Sequence, residues 1–234
     1  MKKVAIMQPT YLPWSGYFGL MQEVDLFVFF DSVQFSRRSW QQRNQIKTAK
    51  GAQWLSLPVQ SKGQRDQLIK DVKLDLSADF AKSHKKTIHL NYCKANFFDE
   101  FSPKILSLIE NETDNLCDLN IEIIQYLKDF LGIDTPTIRS SELNGQGAKA
   151  DLLASLCQEV GATEYVSPPG SREYLLASDA FEKCGIPIQF FEYTHPEYTQ
   201  QHESFLPFMS VIDMIFNCGK KSSSLINNAS KIIS

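Results

Sequence analysis

Two short runs near the start of the chain are apolar at every position, "VAIM" at 4–7 and "LFVFF" at 26–30. A strand with one face in water alternates apolar and polar residues. An unbroken run belongs to a strand covered on both faces, as in a parallel sheet. Parallel neighbours cannot be joined by a hairpin and need a crossover. Between the two runs, "GYFGLMQEVD" sets Tyr17, Phe18, Leu20, Met21 and Val24 at helical spacing. Strand, helix and strand within about thirty residues make a βαβ unit with a right-handed crossover.

The same grammar returns in the second half. "TPTIRSS", "EYVSPPG" and "PIQFFEYTH" read as strands, with "KADLLASLCQEV" and "YLLASDAFEKCG" as the helices between them. From about 78 to 132 the chain is helical: "FAKSHKKTIHLNY", "FFDEFSPKILSLIENE" and "NLCDLNIEIIQYLKDFLGI" carry apolar residues at i, i+3, i+4 and i+7, and Gly132 ends the last. "GAQWLSLPV" is expected as a third strand, with another around Ile69–Leu74. "FLPFMSVIDMIFNCG" and "SSSLINNASKIIS" are helical in pattern. The reading is a single α/β domain over 1–234, with a mostly parallel, Rossmann-like sheet and the segment 78–132 as an insertion or subdomain.

Composition narrows the classes. At 234 residues and 43% hydrophobic the chain can bury a large core, yet no apolar run approaches the ~18 residues of a membrane span. The apolar run in "MKKVAIMQP" is too short for a secretory signal, so a cytoplasmic location is expected. Five cysteines without a CxxC read as reduced thiols, and the four histidines lack metal-site spacing, so no metal is expected. A net charge of -3 argues against a nucleic-acid partner.

Chemistry is expected beyond the C-terminal ends of the strands, where open parallel sheets bind ligands. Four segments fall there: "QPTYLPWSGY", "DSVQFSRRSWQQRNQIK", "RSSELNGQGAK" and "SPPGSREY". Asp31, at the end of an apolar strand, is a candidate base, metal ligand or ribose anchor, or else a helix cap. His84 is the second acid–base candidate, its alternative being a packed helical histidine. Candidate binding residues in the first segment are Gln8, Tyr11, Trp14 and Tyr17. The second adds Gln34, Arg38, Trp40, Arg43, Asn44 and Lys47, arginine forks suiting phosphate and aromatics a base or sugar. Tyr174 completes the set with Asp213 and Asn217, which stand at i, i+4 on one helix face. Pro168-Pro169-Gly170 would offer backbone N–H groups to an anion or form a plain turn. No GxSxG, HExxH or P-loop motif is present.

"MQPTYLPWSGYFGLM", "DLFVFFDSVQFSRRSWQQRNQIKT", "WLSLPV", "EYVSPPGSREY" and "FLPFMSVIDMIFNCG" resemble the WbqC-like family of bacterial proteins over nearly the whole chain. The resemblance implies a setting in O-antigen and other surface-polysaccharide synthesis. It implies a transferase working on a nucleotide-activated amino sugar by acyl or aminoacyl transfer to its amine. Arg38, Arg43 and Lys47 would then hold the pyrophosphate, and Trp14, Tyr17 or Trp40 would stack on base or sugar. Asp31 or His84 would take the amine proton. No resident cofactor is expected, only an acyl donor (acyl-CoA or an acyl carrier protein) or ATP; a homo-oligomer is compatible. The opening also resembles HIGH-type nucleotidyltransferases, but "YLPWSGY" carries neither histidine, and Tyr17 follows the Gly. The other readings are a non-catalytic binding or scaffolding module and a nucleotidyltransferase or ligase with an altered motif.

Overall fold

The computed structural model describes residues 1–110, 113–168, 170–202 and 204–233. Among them, six strands form one sheet: β1 (Lys3–Met7), β2 (Leu26–Phe29), β5 (Thr137–Arg139), β6 (Glu164–Ser167), β7 (Ile188–Tyr193) and β8 (Ser230–Ile233). A separate hairpin pairs β3 (Arg43–Thr48) with β4 (Gly51–Ser56). The sheet order is β5-β2-β1-β6-β7-β8, parallel throughout except for β8, which runs antiparallel to β7. Counted within the sheet this is 3-2-1-4-5-6, the order of a Rossmann-like doubly wound fold.

Burial explains the unbroken apolar runs. Val4, Ile6 and Val28 enter one core, with Leu153, Ala154, Leu156 and Cys157 of α5 (Ala150–Glu159). Ala5, Phe27 and Phe29 enter the other, with Tyr17, Phe18, Leu20 and Met21 of α1 (Ser15–Gln22). Alternate residues of β1 and β2 thus face opposite cores, and both must be apolar. The second core takes in the helices of the middle segment, α2 (Phe80–Tyr92), α3 (Phe98–Ile109) and α4 (Leu116–Phe130), and also α8 (Val211–Cys218). No helix among the described residues is long and apolar enough to cross a membrane.

Four elements depart from the sequence reading. The expected third strand exists as β4, but outside the main sheet. Leu55 alone is buried in it, so it has no second face to cover and pairs only with β3. Ile69–Leu74 is not a strand: a 3-10 turn over Ile69–Asp71 buries Ile69, and Val72 and Leu74 are buried after it. The helix read from "YLLASDAFEKCG" splits into α6 (Arg172–Leu176) and α7 (Ala180–Cys184), where the Ser178 hydroxyl accepts the Ala180 N–H at 3.2 Å. The last turn of the expected C-terminal helix is instead β8; α9 (Lys221–Ala229) ends before it and the edge of β7 takes its backbone bonds.

Asp31 follows β2 and is fully buried. Its carboxylate accepts the Ser141 N–H at 2.9 Å and the Ser140 and Ser141 hydroxyls at 3.1 and 2.8 Å, and the Cys117 thiol lies 4.0 Å away. It ties the end of β2 to the turn after β5. Asp31→Ala would leave those donors without an acceptor in a dry site; chemical denaturation should register a loss of about 3 kcal/mol.

Candidate functional site

Parallel strands β1 and β6 are neighbours whose connections leave in opposite directions, so a crevice opens past Met7 and Ser167. It has two lobes. One, of about 280 Å³, is lined by Trp14, Tyr17, Asn44 and Phe208. The other, of about 300 Å³, is lined by Gln8, Gln41, Tyr165, Pro168 and Tyr174 among others. Met7, Thr10 and Trp40 border both.

The loop from Gln8 to Trp14 is a rigid wall. The Tyr11 N–H donates to the Trp40 carbonyl at 3.0 Å and the Val211 N–H to the Pro13 carbonyl at 2.8 Å. The Asn44 side-chain amide donates to the Leu12 carbonyl at 2.6 Å, steadying Leu12 at a positive φ of 44°. Asn120, fully buried on α4, donates to the Gln41 and Pro9 carbonyls at 2.7 and 3.4 Å. The Tyr11 N–H and the Pro9, Leu12 and Pro13 carbonyls are thus satisfied by other segments rather than by secondary structure of the loop's own.

The Trp14 indole lies directly on Gly16, where an added Cβ would come within 2.2 Å of the ring. Its other contacts are edge-on with Tyr193, at 5.2 Å between centroids, and with Phe208 at 5.8 Å. Trp40 is 49% exposed and leans on Trp54, and the Arg43 guanidinium lies 4.1 Å over the Trp54 ring. That is an aromatic and cationic ledge beside the crevice. Gln41 donates to the Gln8 side-chain oxygen at 2.8 Å and leaves the Gln8 side-chain amide N–H groups without a partner among the described residues. Among the described residues, those lining the crevice include no Asp, Glu, His, Lys, Arg or Cys.

Of the residues singled out in the sequence, Gln8, Trp14, Tyr17, Trp40, Asn44 and Tyr174 come together here. The others are placed elsewhere. Asp31 is engaged by the Ser140–Ser141 turn. His84 is buried between Tyr11 and Phe80, its Nδ1 2.9 Å from the Tyr11 hydroxyl, and burial pulls its pKa down to about 4. Tyr11 is fully buried, and burial pushes its phenol up. Lys47 is 2% exposed and donates through Nζ to the His202 and Ser204 carbonyls; burial lowers its pKa and the charge of Asp213 opposes that.

Asp213 accepts from Tyr92, Tyr198 and Gln200 at 2.7–2.9 Å, and burial pushes its carboxyl up against the pull of those donors. Asn217 donates to the Asp213 carbonyl, so the i, i+4 pair is satisfied within its own helix and by Gln201. Arg38 and Gln34 lie in hollows of their own. Gly170 leads into α6, and Pro169 of the Pro-Pro-Gly turn lies outside the described residues. Where a HIGH-type histidine would carry charge, Tyr17 is a buried neutral phenol donating to the Gln8 carbonyl at 3.3 Å. No group of three or more metal-ligating side chains occurs among the described residues, and the five cysteines are free.

The sequence reading missed Thr10, Phe208 and Asn120. Thr10 shares the Gln8–Trp14 loop and could have been included on that ground. Phe208 stands in "FLPFMS", read as the start of a helix that in the structure begins only at Val211, and Asn120 is a polar residue hidden in an apolar helix pattern.

The depressed pKa of His84 makes stability fall with acid. Above pH 6.5 the imidazole is neutral in both states. Between 6.5 and about 4 the unfolded chain takes up a proton that the folded chain refuses, a loss of about 3 kcal/mol. Denaturation midpoints measured from pH 7.5 to 4 should show that slope in the native chain and lose it in His84→Asn. A Cβ at residue 16 would push the indole into the crevice. Gly16→Ala should keep the native circular dichroism while weakening any crevice ligand at least tenfold by calorimetry.

Residues 8–225 match the model of the WbqC-like protein family. An uncharacterized protein of Mycobacterium tuberculosis, Rv1507c, is 38% identical over 224 residues, covering 95% of this chain and 96% of that one. No solved structure matches the chain. On both the family match and the near full-length relative, this chain belongs to the WbqC-like protein family.

Proposed function

We propose that the chain is a transferase that binds a nucleotide-activated amino sugar in the switch-point crevice and directs acyl or aminoacyl transfer onto the sugar's amine. The observation that carries this reading is the make-up of the crevice. Trp14 and Trp40 supply flat apolar surface for a base or sugar ring, while Gln8 and Thr10 supply amide and hydroxyl groups. Its place at the C-terminal ends of parallel strands is where nucleotides bind in this class of sheet. The resemblance to surface-polysaccharide proteins supplies the sugar.

In the reaction, the neutral amine attacks the acyl carbonyl carbon of a thioester donor. A C–N bond forms, the C–S bond breaks, and the amine's proton leaves on the thiol. With no ionisable acid or base in the lining other than tyrosine, the rate gain comes from holding amine and carbonyl together. Asp31 and His84 then act as supports, His84 through the loop residue Tyr11. The donor is an acyl-CoA or an acyl carrier protein; from an ATP-activated acyl group the C–O bond of the mixed anhydride would break instead, and the phosphate or AMP would leave.

The same lining favours a second reading, a binding module without chemistry. Incubation of the chain with nucleotide amino sugars and acyl donors, followed by mass spectrometry, separates the two. The transferase reading expects an acylated sugar from at least one pair and a fall of about tenfold or more in kcat/KM for Trp40→Ala. Sugar binding without product from any pair, with ATP also tried, leaves the module reading.

A further inference from the structure

The loop from Ser36 to Gln42 has residues in two separate places. Ser39, Trp40 and Gln41 wall the crevice, whereas Arg37, Arg38 and Gln42 line a hollow of about 430 Å³. A second hollow of about 450 Å³ adjoins it, sharing Arg37 and Ser61 and adding Gln34, Gln64 and Arg65. Neither shares a lining residue with the crevice.

Three properties bear on what this groove can hold. First, the guanidinium groups of Arg37, Arg38 and Arg65 have no ion pair or hydrogen bond among the described residues. The stretches 34–38 and 61–65 hold Arg37, Arg38, Lys62 and Arg65 and no acid, in a chain whose net charge is -3. The nearest carboxylate in sequence, Asp66, sits 3.4 Å from the Gln34 amide.

Second, the walls are tied together. The Phe35 N–H donates to the Gln67 carbonyl at 2.9 Å, the Ile69 N–H to the Val33 carbonyl at 2.9 Å, and the Gln34 amide to the Arg65 carbonyl at 2.9 Å. Third, Arg38 has a left-handed backbone, φ 59°, held by the Gln42 side-chain oxygen accepting its N–H at 2.8 Å. A non-glycine residue there is disfavoured.

We infer that this groove is a second ligand site, specific for the phosphate or diphosphate group of the other reactant, the acyl donor. Arginine forks bind phosphate oxygens in pairs, and three exposed, unpaired arginines border these adjoining hollows. The anion site rests on the groove alone; calling its ligand the donor rests on the crevice being the sugar site.

Inorganic pyrophosphate titrated into the whole chain by calorimetry tests the anion site. Arg38→Gly is suited to the purpose, since glycine accepts the left-handed backbone while the whole arginine side chain is removed. Arg37→Ala and Arg65→Ala are exposed-residue changes. Each is expected to weaken pyrophosphate at least fivefold and Arg38→Gly at least tenfold, with Gly16→Ala unchanged. No pyrophosphate binding, or binding indifferent to all three arginines, overturns the site.

Two competitors then identify the ligand. Coenzyme A displacing pyrophosphate while a nucleoside-diphosphate sugar does not supports the donor assignment. Displacement by the nucleotide sugar overturns that assignment, because one ligand would then span loop and crevice. If no nucleotide sugar binds at all, the crevice reading fails while the pyrophosphate result stands.

Discussion

The structure turns on β1 being paired in parallel on both sides, with β2 through residues Val4–Met7 and with β6 through Lys3 and Val4. The strand order reverses at β1. Right-handed crossovers step from β1 to β2 and β5 on one side, and from β5 back to β6 and β7 on the other, so they must pass over opposite faces of the sheet. Hence α1 and α5 cover different sides, each residue of β1 must suit one core or the other, and the chain must part above its C-terminal end. Fold, apolar sequence and crevice are three consequences of one pairing. The wall of the crevice follows from the same geometry, because the segment leaving β1 has no strand beside it and must find partners elsewhere. It finds them in Trp40, Asn44, Asn120 and Val211.

Buried polar side chains account for much of the remaining order. Asp31 joins the ends of two strands, Asp213 gathers two tyrosines and an amide, and Lys47 holds two carbonyls of the segment before α8. Each is a charged or acidic group taken out of water, which is tolerable only with its hydrogen bonds made. A charged residue in such a protein is therefore as often a fastener as a reagent. Exposure and spare bonding capacity separate the two uses, and by that measure the loop arginines differ from the buried groups.

The β1–α1–β2 unit was legible because burial on two faces writes itself into sequence as continuous apolar runs, and the later strands by their alternation with helical segments. The hairpin strand β3 was not, because "RNQIKT" uses its polar side chains for tertiary bonds. Asn44 reaches Leu12, and Lys47 reaches Ser204, so a partly buried strand reads as a solvated basic stretch. β8 is too short to show a period, and what makes it a strand is the open edge of β7. At the site, the aromatic wall could be read from its prolines, its glycine and its place after a strand. The positions of Asp31 and His84 could not. Their partners stand 109 or more and 73 residues away, and sequence does not say which hydroxyl will arrive.

The bridge between Trp14 and Ser210, with the Tyr193 hydroxyl donating to Ser15 across 178 residues of chain, means the crevice is closed by its most distant parts. Contacts of that span carry the largest loop-closure entropy and belong late in folding. The pocket is therefore among the last features a folding chain acquires and among the first that partial unfolding removes. A ligand seated there would act as a non-covalent clasp between the two halves of the molecule, tying occupancy to the chain's lifetime as much as to its chemistry.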